Sequence, residues 1–153
     1  MVYSHASSKI TILIISFRFN PKDIVIEYVG EKIRVPVCNK REVEYDKAGV
    51  DDCYFFAFDT EHIIDATFYG NKSRYINHSC EPNLKSETIT VDNKTHIIFI
   101  ANRLIEKHEE LTFDYQFEYE SEKIECFCGT AVCKGRLNWR LQLLSHLTKI
   151  ISD

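Results

Sequence analysis

The chain has 153 residues, 44% of them hydrophobic and 27% charged, with a formal charge of −4 and a sequence pI near 5.9. That length suits one domain able to bury roughly two-thirds of its unfolded surface, and the balance excludes a chain disordered throughout. The acidic surplus argues against direct DNA binding as its main work and suits a basic partner instead.

Taken from the N-terminus, the first element is the apolar run ITILIISF, Ile10 to Phe17. It falls far short of the about 20 residues a membrane span needs. Only Lys9 precedes it closely and no small-residue cleavage site follows, so it reads as a buried strand rather than a signal-peptide core. Short β-type runs then recur: IVIEYVG, YFFAFD, HIIDAT, ETITV, THIIFIA and LTFDYQF, bounded by the turn formers NPKD, GVDD, YGNK and VDNK. Seven short strands and few helices predict a mainly β, α+β fold. The charged segment NKREVEYDKAG, Asn39 to Gly49, predicts a solvated surface helix closed by its glycine. At the C-terminus, Leu137, Leu141, Leu144, Leu147 and Ile151 recur at helical spacing. That amphipathic helix either docks on the domain's own core or offers a face to a partner.

The six cysteines are unevenly spaced. Cys126, Cys128 and Cys133 form Cys-x-Cys-x₄-Cys around Gly129, a pattern that favours a metal over disulfides. Three thiolates at this spacing can wrap one Zn²⁺, but structural zinc is four-coordinate. The residues alone leave the fourth ligand open among Cys38, Cys53, Cys80 and the histidines.

Three stretches in order, GNKSRYINHSCEPN, EELTFDYQF and CFCGTAVCKGRLN, resemble the SET domain with its post-SET zinc loop, the protein-lysine methyltransferase module. The resemblance runs from about Ile24 to Asn138, and VIEYVGE, YFFAFD and IIDATFYGN agree with it. NKREVEYDKAGVDDCYFF and DNKTHIIFI are most similar to the trithorax and mixed-lineage-leukaemia branch, which methylates lysine four of histone H3. ELTFDYQF and CFCG are similar to the branch that methylates lysine thirty-six. The resemblance implies a SET fold of several small β-sheets with a knot-like C-terminal core and few short helices. It divides the chain into a divergent segment (1–23), the SET domain (24–117), the post-SET zinc loop (118–139) and the C-terminal helix (140–153).

For the site, the resemblance implies that Cys80 completes a zinc tetrahedron with Cys126, Cys128 and Cys133. Tyr115 falls on the family's catalytic tyrosine, with a role in orientation and electrostatics. Tyr54, Asn77, His78 and Phe127 match positions that bind S-adenosylmethionine; Tyr28 and Phe113 match the lysine channel. A Phe at 113 lacks the hydroxyl that would hold a water, which predicts di- or trimethylation. The implied partners are the histone H3 tail and accessory subunits of a methyltransferase complex, with no membrane, and the implied location is nuclear chromatin.

One departure bears on function. The family opens with a Gly-x-Gly loop where backbone approaches the cofactor, whereas this chain has no glycine before Gly30. The competing expectation is therefore a SET module that binds histone or a complex partner with little or no catalysis.

Overall fold

The computed structural model describes residues 11–50, 52–117 and 121–139. The amphipathic pattern beyond residue 139 and the first ten residues lie outside them.

The described residues are mostly strands in small sheets with one helix. Strands β1 (Ile24–Tyr28), β7 (Lys94–Ala101) and β6 (Leu84–Val91) form one antiparallel sheet in the order β1-β7-β6. A second antiparallel sheet has the order β2-β4-β3, from Glu31–Arg34, His62–Asp65 and Phe55–Ala57. The third is a two-residue parallel pair, β5 (Asn77–His78) with β8 (Thr112–Phe113). The β6–β7 hairpin turns at Asp92 and Asn93, both at positive φ (49° and 59°), which is the two-residue geometry whose twist matches the strands and which Asp and Asn tolerate.

Alternation places Tyr28, Ile64, Ile97, Phe99 and Phe113 in one core with Leu84, Ile105 and Leu111. Phe99 and Ile105 are wholly buried.

Helix α1 spans Val35–Lys47, four residues earlier than the charged segment suggested. Pro36 sits in its first turn, where the missing N–H is no loss and φ is already helical. The predicted C-terminal glycine holds: Gly49 has φ +69°, its N–H donates to Asp46 O at 3.0 Å, and Val50 N–H donates to Tyr45 O at 2.9 Å, the double bond of a Schellman end. Cys38, Arg41 and Tyr45 share the inward face. Arg41 Nη1 donates to Glu31 Oε2 at 2.8 Å and to buried Asp65 Oδ2 at 2.7 Å, and Tyr45 Oη donates to the same Asp65 oxygen at 2.9 Å. These bonds fasten the helix to β2 and β4.

The N-terminal segment departs from the buried-strand reading. From Thr11 it runs extended along residues 105–111, with isolated bridges at Ile14–Glu110 and Phe19–Ile105 rather than a strand. Leu13, Ile15 and Phe19 pack on the core, whereas Ile12 and Ile14 stay more than half exposed. A segment with a partner on one side only buries every other residue.

Candidate functional site

The parallel β5–β8 pair builds the site. Asn77 stands opposite Thr112 and His78 opposite Phe113, so segments 35 positions apart in the chain lie side by side. Asn71 caps the 3₁₀ turn Lys72–Tyr75 through Ser73 N–H (3.0 Å) and donates from Nδ2 to Glu27 O at 2.8 Å. That turn delivers the chain into β5.

Just beyond β8, Tyr115 is held at both ends. Its backbone N–H donates to His78 Nδ1 at 3.1 Å and its hydroxyl donates to Ile76 O at 3.2 Å. Its ring lies between Phe113 and Phe117, at 4.9 and 5.4 Å between centroids. Phe113 in turn touches Phe99 (4.7 Å) and stacks on Phe56 (5.8 Å), and Phe56 meets Tyr28 at 4.9 Å. The Tyr28 hydroxyl donates to Tyr54 O at 3.2 Å. The two expected channel residues and the expected catalytic tyrosine therefore belong to one aromatic cluster. Burial, first of all, pushes the phenols of Tyr28 and Tyr115 well above the ordinary tyrosine value and that of Tyr54 to about 12. All three keep their protons at neutral pH.

Of the expected cofactor residues, Tyr54 lies edge-on to Tyr75 at 5.6 Å, with the Arg74 guanidinium near both rings. Arg74 donates to Ala66 O and to the Tyr75 hydroxyl, but among the described residues its buried Nε has no hydrogen-bond partner. A guanidinium N–H left over between two tyrosines fits a ligand carrying a carboxylate, as S-adenosylmethionine does. Asn77 Nδ2 donates to Glu110 Oε1 and to Thr11 O, both at 2.8 Å. His78 is 9% exposed and burial lowers its pKa, so the imidazole is neutral. Phe127 is 85% exposed on the cysteine loop.

The four cysteine sulfurs of Cys80, Cys126, Cys128 and Cys133 all lie within 4.8 Å of one another. A tetrahedral site with metal–sulfur bonds of about 2.3 Å has edges of about 3.8 Å, and the Cys80 and Cys126 sulfurs are 3.8 Å apart. The group fits a metal ion. Lys134 N–H donates to Cys80 Sγ and Gly135 N–H to Cys133 Sγ, each at 3.4 Å, the backbone support that a thiolate set uses. Burial raises the thiol of Cys126, whereas at Cys128 the burial penalty is outweighed by hydrogen bonds from Thr130 and nearby backbone, which bring it down to about 6. Cys38 and Cys53 lie in a separate cluster with Phe55 and Ile63, so Cys80 is the one among the candidate cysteines that joins the trio.

Several participants were not singled out from sequence. The carbonyls of Ile76 and Tyr54 carry no residue signature. Arg74 reads from sequence as structural or cofactor-adjacent, outside the catalytic set, and Tyr75 only as a neighbour of NHSC. Asn138 closes the cysteine loop from the LN pair at its end: its Oδ1 accepts from Ile124 N–H at 3.1 Å and its Nδ2 donates to Glu122 O at 2.7 Å, with the side chain wholly buried.

The SET domain family model matches residues 13–116, a span that includes Asn77, His78 and Tyr115 and stops before the cysteine trio. The chain is 48% identical over 116 residues to "Histone-lysine N-methyltransferase, H3 lysine-4 specific" of Schizosaccharomyces pombe, covering 76% of this chain and 13% of that protein. It is 46% identical over 116 residues to "Histone-lysine N-methyltransferase SETD1" of Drosophila melanogaster, covering 76% of this chain and 7% of that one. Against "Histone-lysine N-methyltransferase trithorax" of Drosophila virilis it is 48% identical over 116 residues, 76% of this chain and 3% of the relative. The chain thus spans a small part of each of these relatives.

Proposed function

This chain belongs to the SET domain family, and from that premise we propose that it is a histone-lysine N-methyltransferase. In this reading it acts in nuclear chromatin on the histone H3 tail, at lysine four before lysine thirty-six, and yields di- or trimethyl-lysine. The observation that carries the reading is the Tyr115 phenol, buried among aromatics and tied at both ends by Ile76 O and His78 Nδ1. The relatives named for lysine four of H3 supply the substrate class.

A lysine amine must lose its proton before it can attack. With an unperturbed pKa near 10.4, neutralising it near pH 7.4 costs about 4 kcal/mol. The Tyr28, Phe113 and Tyr115 cluster lowers that cost by desolvation, which can move a buried lysine by up to about 3–5 pKa units, about 4–7 kcal/mol. Attraction of an ammonium to the ring faces returns only about 0.5–2 kcal/mol. Desolvation therefore wins and the neutral amine is favoured. When bound, S-adenosylmethionine supplies an electrophilic methyl group on a sulfonium, to be held by Tyr54, Asn77, His78 and Phe127. Tyr115 orients the incoming nitrogen and meets developing charge with its hydroxyl, acting as a protonated phenol and not as a base. Cys80, Cys126, Cys128 and Cys133 would hold zinc, which would fasten the loop that carries Phe127. Accessory subunits of a methyltransferase complex are part of the same proposal.

One observation favours a second reading. Asn77 Nδ2 already donates to Thr11 O, within a segment lacking the glycines that allow close backbone approach to a cofactor. A SET module that grips its tail without turnover would look the same there. Calorimetric titration with S-adenosylmethionine separates the two: saturable one-to-one binding supports the enzyme, and no heat at millimolar ligand supports the module.

A further inference from the structure

The imidazole of His78 touches two parts of the site that lie far apart along the chain. Its Nδ1 is 3.1 Å from the backbone nitrogen of Tyr115, and its Nε2 is 3.4 Å from Sγ of Cys80. A backbone N–H can only donate, so Nδ1 presents its lone pair and the ring proton sits on Nε2, aimed at the sulfur. The ring has little room to turn: its side chain is 4% exposed and meets the Tyr115 ring edge-on at 5.4 Å, with the Asp114 carboxylate 3.8 Å from Nδ1.

We propose that His78 is a positioning residue that couples metal occupancy of the cysteine cluster to the placement of Tyr115. The inference rests on the methyltransferase reading and on zinc as the metal. A metal-bound thiolate is a charged acceptor and draws a strong N–H···S bond, whereas a free thiol is a weak one. Zinc at Cys80 therefore anchors Nε2, which fixes the ring, which fixes Nδ1 as the partner of the Tyr115 N–H. The tyrosine is already tied at its other end by Ile76 O, so the imidazole sets the second of two restraints on the phenol. Misplacement of a reacting group by about 1 Å is enough to cost about 100-fold in rate. Coupling of this kind is reciprocal, so a chain without the imidazole bridge holds zinc less tightly.

Two measurements on the full chain test it, neither of which needs methyl transfer. Zinc is titrated into ¹⁵N-labelled protein and followed by NMR. The Tyr115 amide and the His78 Nε2–H are expected to shift together with zinc occupancy and to become slow to exchange, with His78 in the Nε2–H tautomer. In parallel, zinc affinity is measured by competition with a chromophoric chelator. His78→Leu is expected to weaken zinc binding by about 10-fold or more. His78→Gln, whose amide can accept from Tyr115 and donate to Cys80, is expected to recover most of that loss. A Tyr115 amide that ignores zinc, or a folded His78→Leu chain with unchanged zinc affinity, overturns the proposal. If His78→Leu does not fold, the wild-type titration decides alone. Coupling without any methylated peptide would leave this inference standing and defeat the proposed function, whereas methylation without coupling would do the reverse.

Discussion

A phenol buried among aromatics and donating to a carbonyl keeps its proton, so the value of Tyr115 to a reaction lies in where its hydroxyl is held. Tyr115→Phe removes the hydroxyl and leaves the ring in its place between Phe113 and Phe117. The expected outcome is a loss of about 100-fold or more in kcat with an unchanged melting curve; an active, folded variant would remove Tyr115 from the chemistry. Phe113→Tyr adds a hydroxyl within the same cluster and is expected to shift the product toward monomethyl-lysine, read by peptide mass; an unchanged product ratio refutes the channel role. At this scale the sequence was informative where a motif was dense. NHSC and LTFDY mark Cys80, Asn77 and Tyr115 as candidates, and the four sulfurs come together. The carbonyls of Ile76 and Tyr54 were not, because a backbone acceptor leaves no trace in residue type.

Elements were legible in kind more than in extent. LTFDYQF reads as a seven-residue strand but pairs over Thr112–Phe113 only, since Asp114 Oδ1 accepts the Gln116 N–H and Gln116 turns to φ +57°. β2 was missed because EKIR carries a single aliphatic residue and follows IVIEYVG with only a glycine to mark the break. That glycine is demanded by contact: a Cβ on Gly30 would lie 2.6 Å from Asp65 O. Gly30→Ala is expected to destabilise the fold by about 1–3 kcal/mol, measured by urea denaturation; a neutral result would show that β2 and β4 can separate. Asp65, 1% exposed, gathers Arg41, Tyr45 and the Thr67 N–H on its carboxylate. Asp65→Ala leaves these donors without their acceptor and is expected to cost about 3–5 kcal/mol, with α1 the first element to lose amide protection in hydrogen exchange. Protection of α1 equal to that of β7 in this variant would contradict its fastening to the sheet through Asp65.

At the scale of the molecule, three small sheets among the described residues hold a core cluster that includes no residue of the cysteine loop, while the loop is tied to that core through Cys80 and closed on itself by Asn138 and the Leu137 N–H to Ile124 O bond (2.8 Å). Removing zinc with a chelator is therefore expected to abolish activity while the far-ultraviolet spectrum keeps most of its β signal; full activity in a stably zinc-free chain would contradict the clamp. The absence of glycine before Gly30 meets a concrete counterpart in the Thr11 carbonyl on Asn77, so turnover is the property to test. The measurement that tests it most directly is the mass spectrum of histone H3 peptides, with single lysines replaced, after incubation with the zinc-loaded chain and S-adenosylmethionine. Dimethyl and trimethyl product that disappears when lysine four is replaced is the predicted result. Unmodified peptides throughout, from a folded chain that holds zinc, would contradict it.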